Sequence, residues 1–131
     1  MKNSTTKQKR ILVVEDEAVI GQLCQRILTG EGFEVNVAGD GKVAQDMIKK
    51  QPYDLYLIDI RLPVLDGKEL YGWLQEAYPE SVGRVVFATG SAMGEDTQSF
   101  LQNSGRQVLT KPFTPEELKV RITQALKTVE E

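Results

Sequence analysis

"YLIDIRLP" (residues 56–63) decides how this chain folds. With Leu55 before it, the stretch is a run of apolar and aromatic side chains that ends on a bare carboxylate, Asp59. An arginine, a leucine and a proline follow. A continuous apolar run of this length, without polar alternation, reads as a strand buried on both faces. Such strands belong to parallel sheets covered by helices on each side. A charge at the strand's carboxyl end then falls on the edge where open α/β sheets bind ligands.

Working outward, the same grammar repeats. "ILVV" (11–14) and "RVVFA" (84–88) are further continuous strands, and "FEVNV" (33–37) alternates as an edge strand should. "RQVLT" (106–110) is a short fifth strand. Helical spacing separates them. Val19, Ile20, Leu23, Ile27 and Leu28 form one apolar stripe, closed by "GEG". Asp40 caps a second helix with Val43, Ala44, Met47 and Ile48. Asp66, with Glu69 three residues on, opens a third that presents Leu70, Trp73, Leu74 and Ala77. Residues 95–103 form a weaker helix with Phe100 and Leu101, expected to be short or mobile. Thr114, Pro115 and Glu117 make a capping box for the last helix, whose stripe is Leu118, Ile122, Ala125, Leu126 and Val129. Five β–α repeats predict an α/β fold with a doubly wound parallel sheet.

Composition narrows the function. The 131 residues suit one domain, and a hydrophobic fraction of 40% suffices for one core. The net charge of −3 argues against nucleic acid or an acidic membrane surface as direct partners. The basic start (Lys2, Lys7, Lys9, Arg10) reads as a solvated tail with no apolar signal segment. No apolar run reaches membrane-spanning length, so no membrane insertion is expected. One cysteine, Cys24, permits no internal disulfide and fits a reducing compartment; it reads as a small core residue. The absence of histidine excludes Ser-His-Asp and Cys-His catalysis and phosphohistidine chemistry on this chain.

The residues at the carboxyl ends of the strands are chemically coherent. Glu15, Asp16 and Glu17 come after the first, Asp59 ends the third, Thr89 with Gly90 and Ser91 comes after the fourth, and Lys111 after the fifth. Taken singly these are dull. Asp59 could cap a loop, the acidic triplet could complement a helix dipole, and Thr89 and Lys111 are ordinary residues at strand ends. Together they are a site. Crowded carboxylates repel unless a hard divalent cation relieves them, and Mg²⁺ takes carboxylates, waters and phosphate oxygens. A lysine and a hydroxyl can neutralise phosphoryl oxygens. Asp59, alone on the central strand, is the best nucleophile for an acyl phosphate.

"ILVVEDE", "LIDIRLPVLDG", "ATG" and "LTKPF" together resemble the signature segments of the receiver domain of two-component response regulators. The likeness covers residues 9–129, leaving 1–8 as a flexible tail and 130–131 as the end. It implies the flavodoxin-like strand order 2-1-3-4-5. It implies that Asp59 is the phosphoacceptor and that Glu15, Asp16, Asp59 and the backbone carbonyl of Arg61 hold Mg²⁺. Thr89 becomes the switch hydroxyl and Lys111 the phosphate-pairing lysine, with a cis bond to Pro112. The implied donor is a phosphohistidine on a histidine kinase or histidine phosphotransfer protein, in the cytoplasm, with a kinase or effector domain joined to the receiver in a longer chain or not. Arg61 and Ser91 are expected to tune phosphate lifetime. The result is a signalling domain that catalyses its own phosphorylation and dephosphorylation, rather than an enzyme.

The departures are specific. The acidic pair is Glu-Asp where Asp-Asp is commoner. Val108 stands where the family usually has a ring that swings inward as the threonine moves. That opens an alternative, a pseudo-receiver that binds partners without phosphorylation. The likeness runs closer to receivers attached to hybrid sensor kinases than to those of transcription factors. An aspartyl-phosphate hydrolase is disfavoured, because the second acid expected two residues after its nucleophile is Arg61 here.

Overall fold

The computed structural model describes residues 8–90 and 94–130, without the side chains of residues 129 and 130. Residues 1–7 of the tail expected over 1–8, Ser91 and the side chain of Val129 lie outside that description. Five strands, β1 (Arg10–Val14), β2 (Glu34–Ala38), β3 (Leu55–Asp59), β4 (Val85–Thr89) and β5 (Gln107–Thr110), form one parallel sheet in the order β2-β1-β3-β4-β5. Helices α1 (Ala18–Gly30), α2 (Gly41–Lys50), α3 (Gly67–Ala77), α4 (Glu95–Ser104) and α5 (Pro115–Glu130) cover both faces. This is the flavodoxin-like arrangement. The residues of β3 and β4 are all buried, as their unbroken apolar runs require, while the edge strands β2 and β5 are only partly covered.

Side chains alternate across the sheet. Leu12, Val14, Tyr56, Ile58, Val85 and Phe87 pack with Leu70 and Leu74 of α3 and Leu101 of α4. Ile11, Val13, Leu55, Leu57, Val86 and Ala88 pack with Cys24 and Leu28 of α1 and Leu118 and Ile122 of α5. The chain leaves β1 outward to β2 and returns on the other side to β3. The switch point therefore lies between β1 and β3, whose carboxyl ends carry the acidic residues.

Helix starts follow their cap chemistry. Asp40 accepts from the Val43 amide at 2.8 Å. Asp66 accepts from the Glu69 amide at 2.9 Å while Glu69 accepts from the Asp66 amide at 3.0 Å. Thr114 and Glu117 make the same reciprocal pair at 3.1 and 2.8 Å. Each such cap contributes about 1 kcal/mol.

The apolar stripes need correction. Val19 is 78% exposed, Leu23 44% and Val43 42%, and Ala77 is also exposed. The buried face of α1 is Gly21, Cys24 and Leu28, and that of α2 is Gly41, Ala44 and Ile48. At about 100° per residue, Leu23 and Val43 sit about 120° from that face. Glycines lead it because the helices press close. A Cβ on Gly21 would stand 3.0 Å from Val37, and one on Gly41 would collide with the Leu65 carbonyl. The helix expected to be short, α4, is as long as α2, held by Leu101 and by Phe100. A 3₁₀ helix at Pro79–Arg84 was not foreseen.

Cys24 is 1% exposed, and burial pushes its thiol up to about 11. In the native chain an aromatic disulfide reagent should modify it roughly a hundredfold or more slower than in urea, because attack needs local opening. The native rate should still climb between pH 9 and 10. A rate already flat there would place the thiol nearer its ordinary value.

Candidate functional site

The parallel register brings four strand ends to one edge. Val14 pairs with Ile58, Asp59 with Ala88, and Thr89 with Thr110. Glu15 and Asp59 thus end adjacent strands, and Lys111 reaches over from the end of β5. Its amide donates to the Thr89 carbonyl at 2.7 Å, and the Lys111–Pro112 peptide is cis, as the resemblance implies.

The contacts are short. Lys111 Nζ donates to Asp59 Oδ2 at 2.6 Å and to Glu15 Oε1 at 2.6 Å. The second oxygen of Asp59 accepts from the Arg61 amide at 3.0 Å, and that of Glu15 from the Glu17 amide at 3.1 Å. Asp59 is 6% exposed and Glu15 4%, whereas Asp16 is open to solvent. Glu15, Asp16 and Asp59 can each turn one carboxylate oxygen to within 4.8 Å of the others. Thr89 is buried, and its hydroxyl donates to the Gly90 carbonyl at 3.3 Å. The Arg61 side chain is exposed. All six residues named from the sequence therefore gather at this edge.

Burial raises the Glu15 carboxyl above its ordinary value, against the opposing hydrogen bonds from Lys111 and the Glu17 amide. Burial pulls Lys111 the other way, but its bonds to Asp59 and Glu15 outweigh this and raise it. Three carboxylates meet a single ammonium at this edge, an excess of acidic groups over basic ones. A divalent, oxygen-loving cation fits that donor set. Beside the carboxylates runs an open groove of about 440 Å³ lined by Asp16, Arg61, Lys68 and Thr97. A larger cavity of about 510 Å³ lies by Tyr53, Tyr56 and Arg84 and contains none of these carboxylates.

Two features were not legible beforehand. Val64, in the loop after Asp59, is 78% exposed and has φ 70°, in the left-handed region where a β-branched residue is strained. The Leu65 amide closes a tight turn around it onto the Pro63 carbonyl at 2.7 Å. The second feature is aromatic. Val108 is half-buried opposite Phe87, and the rings beside it come from other elements. Phe100 of α4 meets Phe87 at 5.4 Å and Tyr71 of α3 at 5.8 Å, edge to face.

A family profile described as the response regulator receiver domain matches residues 11–123. Among curated proteins, the chain is 35% identical over 127 residues to the transcription factor SKN7 of Saccharomyces cerevisiae, covering 95% of this chain and 20% of that protein. It is 33% identical over 131 residues to hybrid signal transduction histidine kinase I of Dictyostelium discoideum, covering 94% of this chain and 8% of that one. It is 32% identical over 117 residues to the response regulator ArlR of Staphylococcus epidermidis, covering 89% and 52%. The chain thus spans about half or less of these relatives, which include both a transcription factor and a hybrid kinase. Among solved structures, a CheY-like receiver domain protein of Methanospirillum hungatei superposes with a TM-score of 0.84 at 31% identity, covering 95% of this chain and 98% of that one. Among the described residues, no helix is long and apolar enough to cross a membrane.

Proposed function

The chain belongs to the response regulator receiver domain family, and from that premise we propose that it accepts a phosphoryl group on Asp59 from a phosphohistidine of a partner protein. One observation carries the reading: Asp59 is buried at the end of the central strand, with an ammonium on one oxygen and two further carboxylates beside it. The Asp59 carboxylate attacks phosphorus, and the bond from phosphorus to the imidazole nitrogen breaks. The electron pair leaves with the imidazole, and an acyl phosphate remains on Asp59. Lys111 holds a compensating charge beside the oxygens that arrive, and the Thr89 hydroxyl is the donor that closes on them. Glu15, Asp16, Asp59 and the Arg61 carbonyl are the residues that would hold Mg²⁺, which supplies charge neutralisation on the phosphoryl oxygens. Later attack by water, or transfer to another histidine, returns Asp59. Arg61 flanks the groove through which water or a partner enters. The donor is a histidine kinase or a histidine phosphotransfer protein in the cytoplasm, and the chain works alone or joined to a kinase or effector.

The test is intact-mass measurement after incubation with a small acyl phosphate. The mass should rise by one phosphoryl group with Mg²⁺ and stay unchanged when EDTA is added first. Uptake that survives chelation would remove the cation from the reading. A second reading, a receiver that binds partners without phosphorylation, draws on Val108, which cannot make the motion of a swinging ring. It requires that neither uptake nor Mg²⁺ binding be found.

A further inference from the structure

The amino-terminal edge of the sheet, opposite the acidic residues, carries a second concentration of buried polar groups. Apart from tyrosines, the buried polar or charged side chains among the described residues are Glu15, Asp59, Thr89 and Ser81. The first three stand at the acidic edge. Ser81 stands at the far end, in the cavity of about 510 Å³ between the end of α2 and the 3₁₀ helix. Polar groups are costly to bury, so such a concentration needs a reason. Tyr53 and Tyr56, 4% and 2% exposed, line the same cavity. Burial raises the Tyr56 phenol above its ordinary value, against hydrogen bonds from Ser81 and the Tyr53 backbone, and so keeps it a neutral hydroxyl. The Gln51 side-chain amide donates to the Tyr53 hydroxyl at 3.0 Å. The two rings stand edge to face with centroids 5.9 Å apart, and supply apolar area beside those hydroxyls.

The fixed charges around this cavity favour an anion. Lys49 and Lys50 close α2, and Arg84 immediately precedes β4; against these three cations stand two acids, Asp54 and Glu80. Among the described residues neither lysine ammonium has an ion pair or a hydrogen bond. Arg84 pairs only with Asp54, at 4.0 Å, too long for a hydrogen bond. Asp54 is itself held by the Arg10 amide at 2.7 Å, which leaves the guanidinium donors open. We propose that this cavity binds a small aromatic carboxylate, its ring against Tyr53 and Tyr78 and its carboxylate on Arg84, Lys49 and Lys50. One negative charge matches the excess of one positive charge, and a planar carboxylate fits the two-pronged guanidinium. A phosphate monoester, with about 1.5 to 2 charges, would meet Asp54 and Glu80 as repelling neighbours. The cavity is of a size that takes small organic ligands, and aromatic walls with a few polar groups are their usual surroundings. None of the carboxylates around Asp59 lines it, so the site stands apart from the phosphoryl chemistry.

The test is an NMR titration of the full ¹⁵N-labelled chain with 4-hydroxybenzoate, with 4-hydroxybenzyl alcohol and adenosine monophosphate as comparisons. The benzoate should give saturable shifts centred on the amides of Tyr53, Asp54, Ser81 and Arg84, with those of Asp16 and Asp59 unmoved. The neutral alcohol and the nucleotide should each bind at least about tenfold more weakly, the factor expected for one lost charge-assisted contact. Arg84→Gln, at a partly exposed position, should weaken benzoate binding about tenfold with an unchanged melting temperature. Lys50→Gln, on the exposed rim, should weaken it about threefold and decides the matter where Arg84→Gln melts lower. The absence of any saturable shift up to about 10 mM benzoate would overturn the proposal. So would saturation centred on the Asp59 edge, an affinity for the alcohol or the nucleotide equal to that for the benzoate, or an affinity unchanged in both variants.

Discussion

Asp59→Asn will take up no phosphoryl group from a small acyl phosphate or from a phosphohistidine partner, and will remain folded. The amide is nearly the same size as the carboxylate, and its single oxygen can still accept one of the two bonds, from the Arg61 amide or from Lys111. What it lacks is the charge and nucleophilicity that attack phosphorus. Stability should hold or rise, because the Asp59 charge is one of the causes that push the Glu15 carboxyl up. Intact mass and thermal melting read the two halves of the expectation separately. A variant that keeps its melting temperature and still gains a phosphoryl group would move the acceptor to Asp16 or Glu15. A variant that loses uptake by unfolding would say nothing for Asp59, and the melting curve identifies that case.

The largest structural effect is expected from Gly67→Ala. Gly67 opens α3 directly after the loop that follows Asp59, and its amide donates to the Ile60 carbonyl at 3.0 Å. A Cβ there would lie 2.5 Å from the Asp59 carbonyl oxygen and 2.8 Å from the Ile60 Cα. Both are backbone atoms of a buried strand end, so neither can yield by rotating a side chain. The helix must move away, which opens the packing of Leu70 and Leu74 as well. The cost is about 3 kcal/mol, at the upper end of overpacking effects. For a domain of this size that is roughly a 10 °C fall in melting temperature. Gly72, on the same helix with nothing within 4 Å of its Cβ position, provides the control. Gly72→Ala should be neutral or stabilising by a few tenths of a kcal/mol, since alanine is the better helix former. Equal melting temperatures for the two variants would show that the close approach carries no energetic weight.

Hydrophobic pattern and cap chemistry were enough to read most of the fold, because both are local. Strand β3 is apolar without alternation, and it is buried on both faces. Asp66 with Glu69 and Thr114 with Glu117 are reciprocal caps in the structure as in the sequence. The strand order was not local in this sense and came with the family likeness. The stripes of α1 and α2 misled for a physical reason. A pattern of side chains weights large apolar residues, whereas the buried faces are led by Gly21 and Gly41, which have none. Five of the six site residues, Glu15, Asp16, Asp59, Thr89 and Lys111, were legible as strand-end chemistry, whereas Arg61 came with the family likeness. Their partnerships were not, because the length of the Glu15 side chain matters only once Lys111, 96 positions away, is beside it. Val64 was unreadable for a different reason. Its left-handed backbone is imposed by the turn, and valine carries no signal for it.

Val86 and Phe87 are neighbours in the chain whose side chains contribute to separate packing clusters. One looks toward α1 and α5, the other toward α3 and α4. The sheet therefore acts as a partition, and the molecule has two hydrophobic compartments with separate side-chain inventories. Substitutions on opposite sides should combine additively, whereas those sharing a compartment should not. Inheritance can exploit such a partition. Mutations that alter the Phe100–Phe87–Tyr71 cluster can accumulate without drawing on the packing of Leu118 and Ile122 of α5. A lineage built this way can remodel one compartment while leaving intact the other half of what keeps the chain folded.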